Sequence, residues 1–197
     1  MLDPTRPIET VTLRGKRVTL EPLNAAHLPG LAAAIRDGAL WSIPVTFVPH
    51  PDELAGFLQQ AEDRSAAQID RTFATIDLDS GTVVGSTRFR NIDRGNRRLE
   101  IGFTFIARSW QRSYVNTEAK RLMMQHAFET WGCKRVEFIT DVLNTASRNA
   151  ILRLGAREEG VMRNHMIMRD GRLRDSMLYS VIESEWPAVK RRLAVRS

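Results

Sequence analysis

Two points in the sequence place polar side chains where a strand runs into a helix, and the first of them suits a phosphate group. The loop 108–115 follows a predicted strand, and a helix is predicted to start at Asn116. Such a corner presents free backbone N–H groups and the positive end of the helix dipole, which both stabilise an anion. Arg112 in the loop, with Lys120 and Arg121 one turn into the helix, adds positive charge. An ordinary crossover loop is the alternative interpretation.

The second corner lies at residues 141–147, where another predicted strand runs into a helix. Asn144 has the residue type of an N-cap, and Ser147 falls in the first helical turn. The Ser147 hydroxyl can cap a free backbone N–H group, a structural role that does not exclude a chemical one.

Several signatures of common enzyme classes are missing. The sequence has no GxxxxGK[ST], no GxGxxG after a strand, no GxSxG and no HExxH. The four histidines lack metal-ligand spacing, and the single cysteine, Cys133, excludes a disulfide framework and a thiolate cluster. We therefore predict no metal site, and we interpret Cys133 as a small buried apolar residue.

The composition is that of one ordinary globular domain. The chain has 197 residues, of which 43% are hydrophobic and 26% charged, which argues against disorder. No apolar run approaches the ~18–20 residues of a membrane span, and the first residues lack a signal-peptide core, so we expect a cytoplasmic protein. The net charge of +6 favours an anionic partner, such as nucleic acid, anionic lipid or a polyphosphate ligand, without choosing among them.

Hydrophobic periodicity predicts the elements that position the two corners, in the order β-α-α-β-β-β-α-β-α-β-β-α. Gly132 is the predicted C-terminal stop of the central helix. The alternation of Leu99, Ile101, Phe103 and Phe105 predicts a strand that turns these four side chains to one face. Residues 1–10, with two prolines and little apolar material, are expected to form a loose arm. The pattern indicates a single mixed α/β domain without an internal linker.

Together the two corners and the strand order resemble the GNAT (Gcn5-related N-acetyltransferase) superfamily, in its RimJ/RimL-like branch of ribosomal-protein N-acetyltransferases. The resemblance covers roughly residues 14–190, and it depends on the order and spacing of several short pieces. They are Leu13-Arg14-Gly15-Lys16-Arg17-Val18-Thr19-Leu20-Glu21-Pro22, Leu99-Glu100-Ile101-Gly102-Phe103, Asn116-Thr117-Glu118-Ala119-Lys120, His126-Ala127-Phe128-Glu129, Asn144-Thr145-Ala146-Ser147, Leu154-Gly155-Ala156, Asp170-Gly171, Arg174-Asp175 and Tyr179-Ser180-Val181.

The resemblance implies one N-acetyltransferase domain over residues 1–197, built on a mostly antiparallel, six- to seven-stranded splayed sheet with helices on both faces. Acetyl-CoA would lie between the strand at 99–106 and the strand at 135–142. The implied cofactor contacts are Phe103, Thr104 and Phe105 for the pantetheine arm, Gln111, Arg112, Ser113, Tyr114, Val115 and Asn116 for the pyrophosphate, and Asn144 at the second corner.

The chain departs from the superfamily pattern at two places. The pyrophosphate loop usually carries glycines in an (Arg/Gln)-x-x-Gly-x-(Gly/Ala) pattern, whereas Ser113 and Val115 stand in this region here. Many relatives also place a tyrosine general acid in the helix after Asn144, where this chain has Ile151. RimL-like members use a serine at the position of Ser147 instead.

The implied reaction is direct transfer of an acetyl group from CoA to a primary amine. Glu100 is the predicted base that takes the amine proton, with a structural strand glutamate as the equal alternative. Strand alternation places it on the same face as Gly102 and Thr104. Ser147 is predicted to donate a hydrogen bond to the leaving thiolate, and backbone N–H groups of the strand would stabilise the oxyanion.

The acceptor stays open among a peptide N-terminus, a polyamine and an antibiotic amine. By analogy, the segment 41–57 and the hairpin at 169–171 flank the acceptor side. Two other functions stay open as well: an acyl-CoA-binding relative without catalysis, and a basic nucleic-acid-binding module, which lacks a recognition motif here. We expect neither a membrane partner nor a specific nucleic acid, and a homodimer is among the assemblies left open.

Overall fold

A computed structural model describes residues 2–3 and 5–194 of the chain. The strands are β1 (Leu13–Arg14), β2 (Val18–Pro22), β3 (Arg71–Asp77), β4 (Val83–Asp93), β5 (Arg98–Ile106), β6 (Arg135–Asp141), β7 (Arg157–Ile167) and β8 (Leu173–Ile182). The helices are α1 (Leu28–Arg36), α2 (Leu54–Ala66), α3 (Tyr114–Gln125), which continues as one π-helical segment (His126–Thr130), α4 (Thr145–Leu154) and α5 (Trp186–Ala194). Within the described residues, no helix has the length and apolar character needed to cross a bilayer.

The strands form one sheet in the order β1-β2-β3-β4-β5-β6-β8-β7, and neighbours are antiparallel except for β5 and β6. This parallel pair is short, because only Arg98–Glu100 pairs with Arg135–Glu137. Beyond it, β5 follows β4 to Ile106, while β6 follows β8 to Asp141. The two strands therefore separate, as the predicted splayed sheet requires.

Helices cover both faces of the sheet, as predicted. On one face, the buried residues of α3, α4 and α5 form a single apolar cluster with the sheet. On the other, α1 and α2 form a smaller cluster that includes Phe105 of β5. We call these the α3 face and the α1/α2 face.

Two expectations about the N-terminal region were wrong. Within the part of the chain that the structure describes, the sheet has eight strands, because Leu13–Arg14 pairs with β2, and two residues are too few to show an alternating pattern. The segment expected as a loose arm also contacts the body, since Leu2 and Ile8 are buried in the main core. The backbone N–H of Leu2 donates to the Trp131 carbonyl at 2.6 Å. Burial of Leu2 and Ile8 holds the described part of the segment against the core.

Strand β5 does not keep one alternation along its length. It pairs Gly102 with Arg88 and Phe105 with Ser86, so β5 advances three residues where β4 advances two. The extra residue forms a β-bulge, and Phe103 there has a left-handed φ of 48°. The expectation that Leu99, Ile101, Phe103 and Phe105 share one face was therefore wrong beyond Ile101.

Helix α3 starts two residues earlier than expected, at Tyr114 rather than Asn116. Ser113 is the N-cap, and its hydroxyl accepts a hydrogen bond from the Val115 N–H at 3.3 Å. Serine and asparagine are both good N-cap residues, so the sequence offered two starts. The buried Val115 side chain selects the earlier one, because it draws residue 115 into the helix.

Candidate functional site

The cleft between the separating ends of β5 and β6 is the main candidate site. Its β5 side is the bulge, and its β6 side ends at Asp141, directly before the second corner. Along this gap neither strand has the other as a hydrogen-bonding neighbour. Backbone groups on an unpaired strand edge are available to an extended ligand.

The bulge sends the three predicted pantetheine contacts in different directions. Phe103 lies on the α1/α2 face, where its ring stacks on Phe47 with centroids 6.3 Å apart. Phe105 also lies on this face, 6.2 Å from the ring of Phe57. Thr104 turns to the α3 face, where its hydroxyl lies 2.8 Å from that of Thr87. The side chains of Phe103, Thr104 and Phe105 therefore diverge, and the groups that these residues jointly place beside the cleft are their backbone groups.

Glu100 is buried beside the bulge on the α1/α2 face. Its carboxylate accepts hydrogen bonds from Arg90 Nη1 at 2.9 Å and Asn91 Nδ2 at 3.2 Å, and the residue is 3% exposed. A Cβ atom at Gly102 would lie only 2.4 Å from Glu100 Oε1, so the absent side chain makes room for the carboxylate. Burial raises the pKa of Glu100, against the opposing charge of Arg90.

The structure corrects one premise about Glu100. We expected Thr104 to lie farther along the same strand face, but the bulge places Thr104 on the α3 face and Glu100 on the other. Glu100 instead shares its face with the aromatic ring of Phe103, over which the Arg90 guanidinium carbon lies 4.2 Å from the centroid. Its assignment as the base stays a prediction.

Lys120 is a buried residue that the sequence placed with the phosphate-binding corner. Its Nζ atom contacts the hydroxyls of Thr87 at 2.7 Å and Thr104 at 2.5 Å. Burial lowers the pKa of Lys120 to about 7, opposed by the distant charge of Glu100. The Lys120 amine therefore contacts the bulge from the α3 face of the sheet and does not point toward the loop before α3.

The loop before α3 keeps a glycine-like conformation without a glycine. Arg112 has a φ of +61°, in the left-handed region that glycine enters at least cost, and its residue is exposed. Gln111 closes the loop onto β5, because its Nε2 donates to the Ile106 carbonyl at 2.9 Å. The side chain of Ser113 is used within the loop, where its hydroxyl donates to the Trp110 carbonyl at 2.6 Å.

The first residues of α3 turn their side chains to different surroundings. The Tyr114 hydroxyl donates to Asp77, and the Arg17 guanidinium carbon lies 3.4 Å from its ring centroid. Burial, together with the hydrogen bond to Asp77, raises the pKa of Tyr114 to about 12. Val115 is buried in the core, whereas Asn116 is half-buried. Tyr114 and Val115 therefore have only backbone groups to offer an anion at this corner.

The second corner has the predicted cap. The Asn144 side chain accepts a hydrogen bond from the Ser147 N–H at 3.0 Å, so Asn144 is the N-cap of α4. The Ser147 hydroxyl has no hydrogen-bond partner among the described residues. It stands in the first turn of α4, just beyond the end of β6. The hydroxyl is therefore left free to meet a ligand at the open end of the cleft.

The two segments expected to flank the acceptor side do meet. Arg172 Nη2 donates to the Pro44 carbonyl at 3.3 Å, and Arg169 lies 3.8 Å from Glu53. The sequence reading missed a group of polar residues on this side of the sheet. They are Arg90 and Asn91 on β4, His165 on β7, and Arg174 and Ser176 on β8. The alternation of Arg88 with Arg90 on β4 and of Arg174 with Ser176 on β8 was an available signal that each pair shares a face.

Comparison with known proteins decides the family. The family model described as the acetyltransferase (GNAT) domain matches residues 17–157. The chain belongs to the GNAT acetyltransferase family. Family membership confirms the resemblance to the GNAT family found in the sequence, and the splayed-sheet fold agrees with it. Acetyl-CoA is the acetyl donor that this family uses.

Two similar proteins illustrate this membership, and the name of the first refers to the ribosome. The chain is 33% identical over 113 residues to "Putative ribosomal N-acetyltransferase YdaF" of Bacillus subtilis, and the match covers 57% of this chain and 61% of YdaF. The chain thus spans less than two thirds of the length of that relative. A GCN5-related N-acetyltransferase from Brucella melitensis has a TM-score of 0.85 at 34% identity, covering 96% of this chain and 86% of that chain.

A third comparison extends the likeness of fold. RimJ of Mycobacterium smegmatis, in complex with CoA-disulfide, has a TM-score of 0.78. The match covers 91% of this chain and 88% of that one, at 21% identity. At this identity the similarity concerns the fold.

Proposed function

We propose that this protein is an N-acetyltransferase that transfers the acetyl group of acetyl-CoA directly to a primary amine within a ternary complex. The observation that carries the proposal is the cleft itself: a parallel pair that ends after three residues, with a bulge on β5 and a helix start at each side of the opening. This arrangement offers unpaired backbone groups to a long polar ligand and helix N-termini to its charged end.

The described residues fit CoA in two respects. The start of α3 presents backbone N–H groups, and the left-handed Arg112 brings the chain into the helix as a glycine would. The bulge at Phe103–Phe105 leaves backbone N–H groups of β5 beside the cleft, where they would hold the thioester carbonyl. The loop can therefore serve as the proposed phosphate site although it lacks the usual glycines.

The proposed reaction needs a base, an oxyanion site and a donor for the leaving group. The amine nitrogen attacks the thioester carbonyl carbon, and its proton passes to Glu100 directly or through a water molecule. When the carbon–sulfur bond breaks, the sulfur takes the electron pair, and the free hydroxyl of Ser147 donates a hydrogen bond to the thiolate. Backbone N–H groups of the bulge would hold the charge on oxygen between these two events.

The relatives guide the choice of acceptor. YdaF is named a putative ribosomal N-acetyltransferase, so a protein N-terminus is the first acceptor class to test. We propose the same class here, with small-molecule amines as the alternative.

Ligand-dependent thermal stability tests the proposal directly. A ligand that binds only the folded state raises the melting temperature, so acetyl-CoA should stabilise the protein, and production of free CoA should follow addition of an amine. An oligonucleotide serves as the comparison ligand. A salt-sensitive shift with the oligonucleotide alone would favour the nucleic-acid-binding alternative, and acetyl-CoA binding without turnover of any amine would favour a non-catalytic relative.

Arg112→Gly should weaken binding of CoA but not of pantetheine, which lacks the phosphates. Glycine suits the φ of +61° at this position, so the change removes the guanidinium without straining the loop. A charged hydrogen bond of this kind is worth about 1.5–3 kcal/mol where it forms, and its exposure places the effect at the lower end. Titration calorimetry with both ligands measures it. An equal loss of affinity for CoA and for pantetheine would show that Arg112 does not contact the phosphates.

Ser147→Ala should lower turnover while leaving thermal stability and CoA affinity nearly unchanged. The reason is that the hydroxyl bonds to none of the described residues, whereas the cap of α4 comes from Asn144. Asn144→Ala is the matched variant, and it should cost about 1 kcal/mol of stability as an N-cap deletion does. Steady-state kinetics and melting curves on both variants separate the roles. A Ser147→Ala variant that melts early at full turnover would show a purely structural serine.

A further inference from the structure

The acceptor side of the sheet carries buried arginines whose hydrogen-bonding capacity the described part of the protein does not use. Arg174 of β8 is only 7% exposed, and its Nε donates to Ser176 Oγ at 2.9 Å. Its two Nη atoms have no hydrogen-bond partner among the described residues, and none of the ion pairs there includes it. These Nη atoms are not among the fully enclosed unpaired atoms of the described residues, so a ligand can reach them. A guanidinium that is mostly buried and has no carboxylate is stabilised by an anion that pairs with it.

A second arginine on this side of the sheet is also incompletely paired. Arg88 of β4 is 2% exposed and reaches Asp70 through Nη1 at a long 3.4 Å. Its Nε and Nη2 are buried without a partner in the described chain. Asp70 is shared, because it also accepts hydrogen bonds from Arg64. The site thus has more guanidinium donors than carboxylates to receive them.

The other charged groups around Arg174 are already engaged. Arg172 is paired with Asp141 at 2.5 Å, and Arg90 is paired with Glu100 at 2.9 Å. His165 shares Ser176 with Arg174, since its Nδ1 lies 3.0 Å from Ser176 Oγ. Burial, and then the charges of Arg174 and Arg90, lower the pKa of His165. These side chains therefore lie around Arg174, on which the charges of Asp141 and Glu100 act but which forms no ion pair among the described residues.

Arg174 lies near the proposed reaction centre, because the charge of Glu100 acts on its guanidinium. Arg90 joins the two, because its guanidinium contacts the Glu100 carboxylate and lies over the ring of the bulge residue Phe103. Phe103 in turn stacks on Phe47 of the segment that flanks the acceptor. An acceptor whose amine reaches Glu100 would have its neighbouring atoms beside Arg174.

We infer that the acceptor carries a carboxylate or another anionic group close to its reactive amine, and that Arg174 binds this group. The inference rests on the proposed acetyl-transfer function and names the substrate class of that same site. The planar fork of an arginine suits bidentate binding of an anion. Two sources share this chemistry: a free amino acid, through its own carboxylate, and a peptide with an acidic residue next to its N-terminus.

Matched acceptors test the inference. One pair is an amino acid and its carboxamide, and the other is a peptide with Glu at its second position and the same peptide with Gln there. Within each pair only the charge differs. We expect the wild-type protein to favour the charged member of at least one pair by about 10- to 100-fold in kcat/KM, the range that a charged hydrogen bond supplies. The pair that shows the preference identifies the source.

Arg174→Gln should remove that preference, since glutamine can still donate to Ser176 but carries no charge. Arg163→Gln is the matched control, because Arg163 is an exposed arginine on the neighbouring strand β7, and its loss changes the net charge equally. A melting curve confirms that each variant is folded, and Arg174→Lys, which keeps the charge, should retain part of the preference.

The outcomes separate this inference from the function on which it rests. Equal use of charged and neutral acceptors, or a preference that survives in Arg174→Gln, would overturn the acceptor class while acetyl transfer stands. Acetyl-CoA binding without acetylation of any of the four acceptors would also reject it. A protein that does not bind acetyl-CoA would overturn the proposed function itself.

Discussion

Glu100→Gln should lower the rate of acetyl transfer by about 10²–10⁴-fold, the usual contribution of a general base, while acetyl-CoA binding is kept. Glutamine has the same shape and can still accept a hydrogen bond from Arg90 or Asn91, the two donors to the present carboxylate. Stopped assays of CoA release, on an amine that the wild-type protein acetylates, measure the rate. Calorimetry measures the binding of acetyl-CoA.

The pH dependence gives a second reading of the same change. A base must be deprotonated to act, so activity is lost as the pH falls through the pKa of Glu100. Burial raises the pKa of this carboxyl above its ordinary value, and the acidic limb of kcat/KM should therefore lie above the ordinary range of a glutamate. The glutamine variant should lack this limb.

Glu137→Gln is the control for the loss of a paired strand carboxylate. Glu137 lies on β6 directly opposite Glu100, in the last pair before the strands separate. It accepts hydrogen bonds from Arg135 at 2.7 Å and Arg98 at 3.3 Å, so it resembles Glu100 in its pairing without being the predicted base. Its change should leave the rate within a few-fold. If Glu100→Gln behaves in the same way, Glu100 is a structural residue, and the base is another group.

The features that sequence predicted well have local causes. The cap of α4 depends on Asn144 and the N–H of Ser147, three residues apart. The hairpin between β7 and β8 depends on Gly171, which takes a φ of +81°. The end of the central helical segment depends on Gly132 in the same way, with a φ of +66°. Each of these features depends on residues that are close together in the sequence, and it can therefore be predicted from the sequence alone.

The features that sequence missed depend on distant partners. Alternation placed Phe103 on the same strand face as Leu99 and Ile101. The pairing of β5 with β4 contains a bulge that the residue types of β5 do not predict. The position of Lys120 beneath Thr104 follows from the packing of α3 on that bulge. The surroundings of Arg174 depend on where β6 ends relative to β8. To predict any of these three features, one must know how the strands are paired in the sheet, and the periodicity of a single sequence does not give this register.

Lys120→Met should make the protein more stable at neutral pH and, at the same time, slower. Burial lowers the pKa of Lys120 from 10.5 to about 7, so the folded state disfavours the charged amine that the unfolded chain readily forms. At a little over 1 kcal/mol for each pKa unit, this shift is worth roughly 4 kcal/mol. Methionine fills a similar volume without a charge. The lost contacts to Thr87 and Thr104 offset part of the gain, and we expect a net increase of about 2–3 kcal/mol.

The sign of the pH dependence identifies the cause. Between pH 7 and 10.5 the unfolded chain holds a proton on Lys120 that the folded protein does not, so the wild-type free energy of unfolding gains a contribution that rises with pH in this window. The variant lacks this contribution, and its advantage over wild type should therefore shrink as the pH rises. Tyr114 and Cys133, whose pKa values burial raises to about 12, act in the opposite direction. They are present in both proteins and cancel in the difference.

Denaturant unfolding at several pH values measures this difference, with Lys134→Met as the control for a surface lysine. Lys134 is exposed and pairs with Glu183, a contact of the kind that contributes at most about 1 kcal/mol. A constant difference between wild type and Lys120→Met across the window would mean that the folded protein holds this amine charged.

The activity of the Lys120→Met variant gives a second test. Lys120 holds Thr104 beneath the bulge that lines the cleft, so its loss should lower kcat even though stability rises. A stabilising change that slows the enzyme marks a position where function, rather than folding, keeps the buried amine.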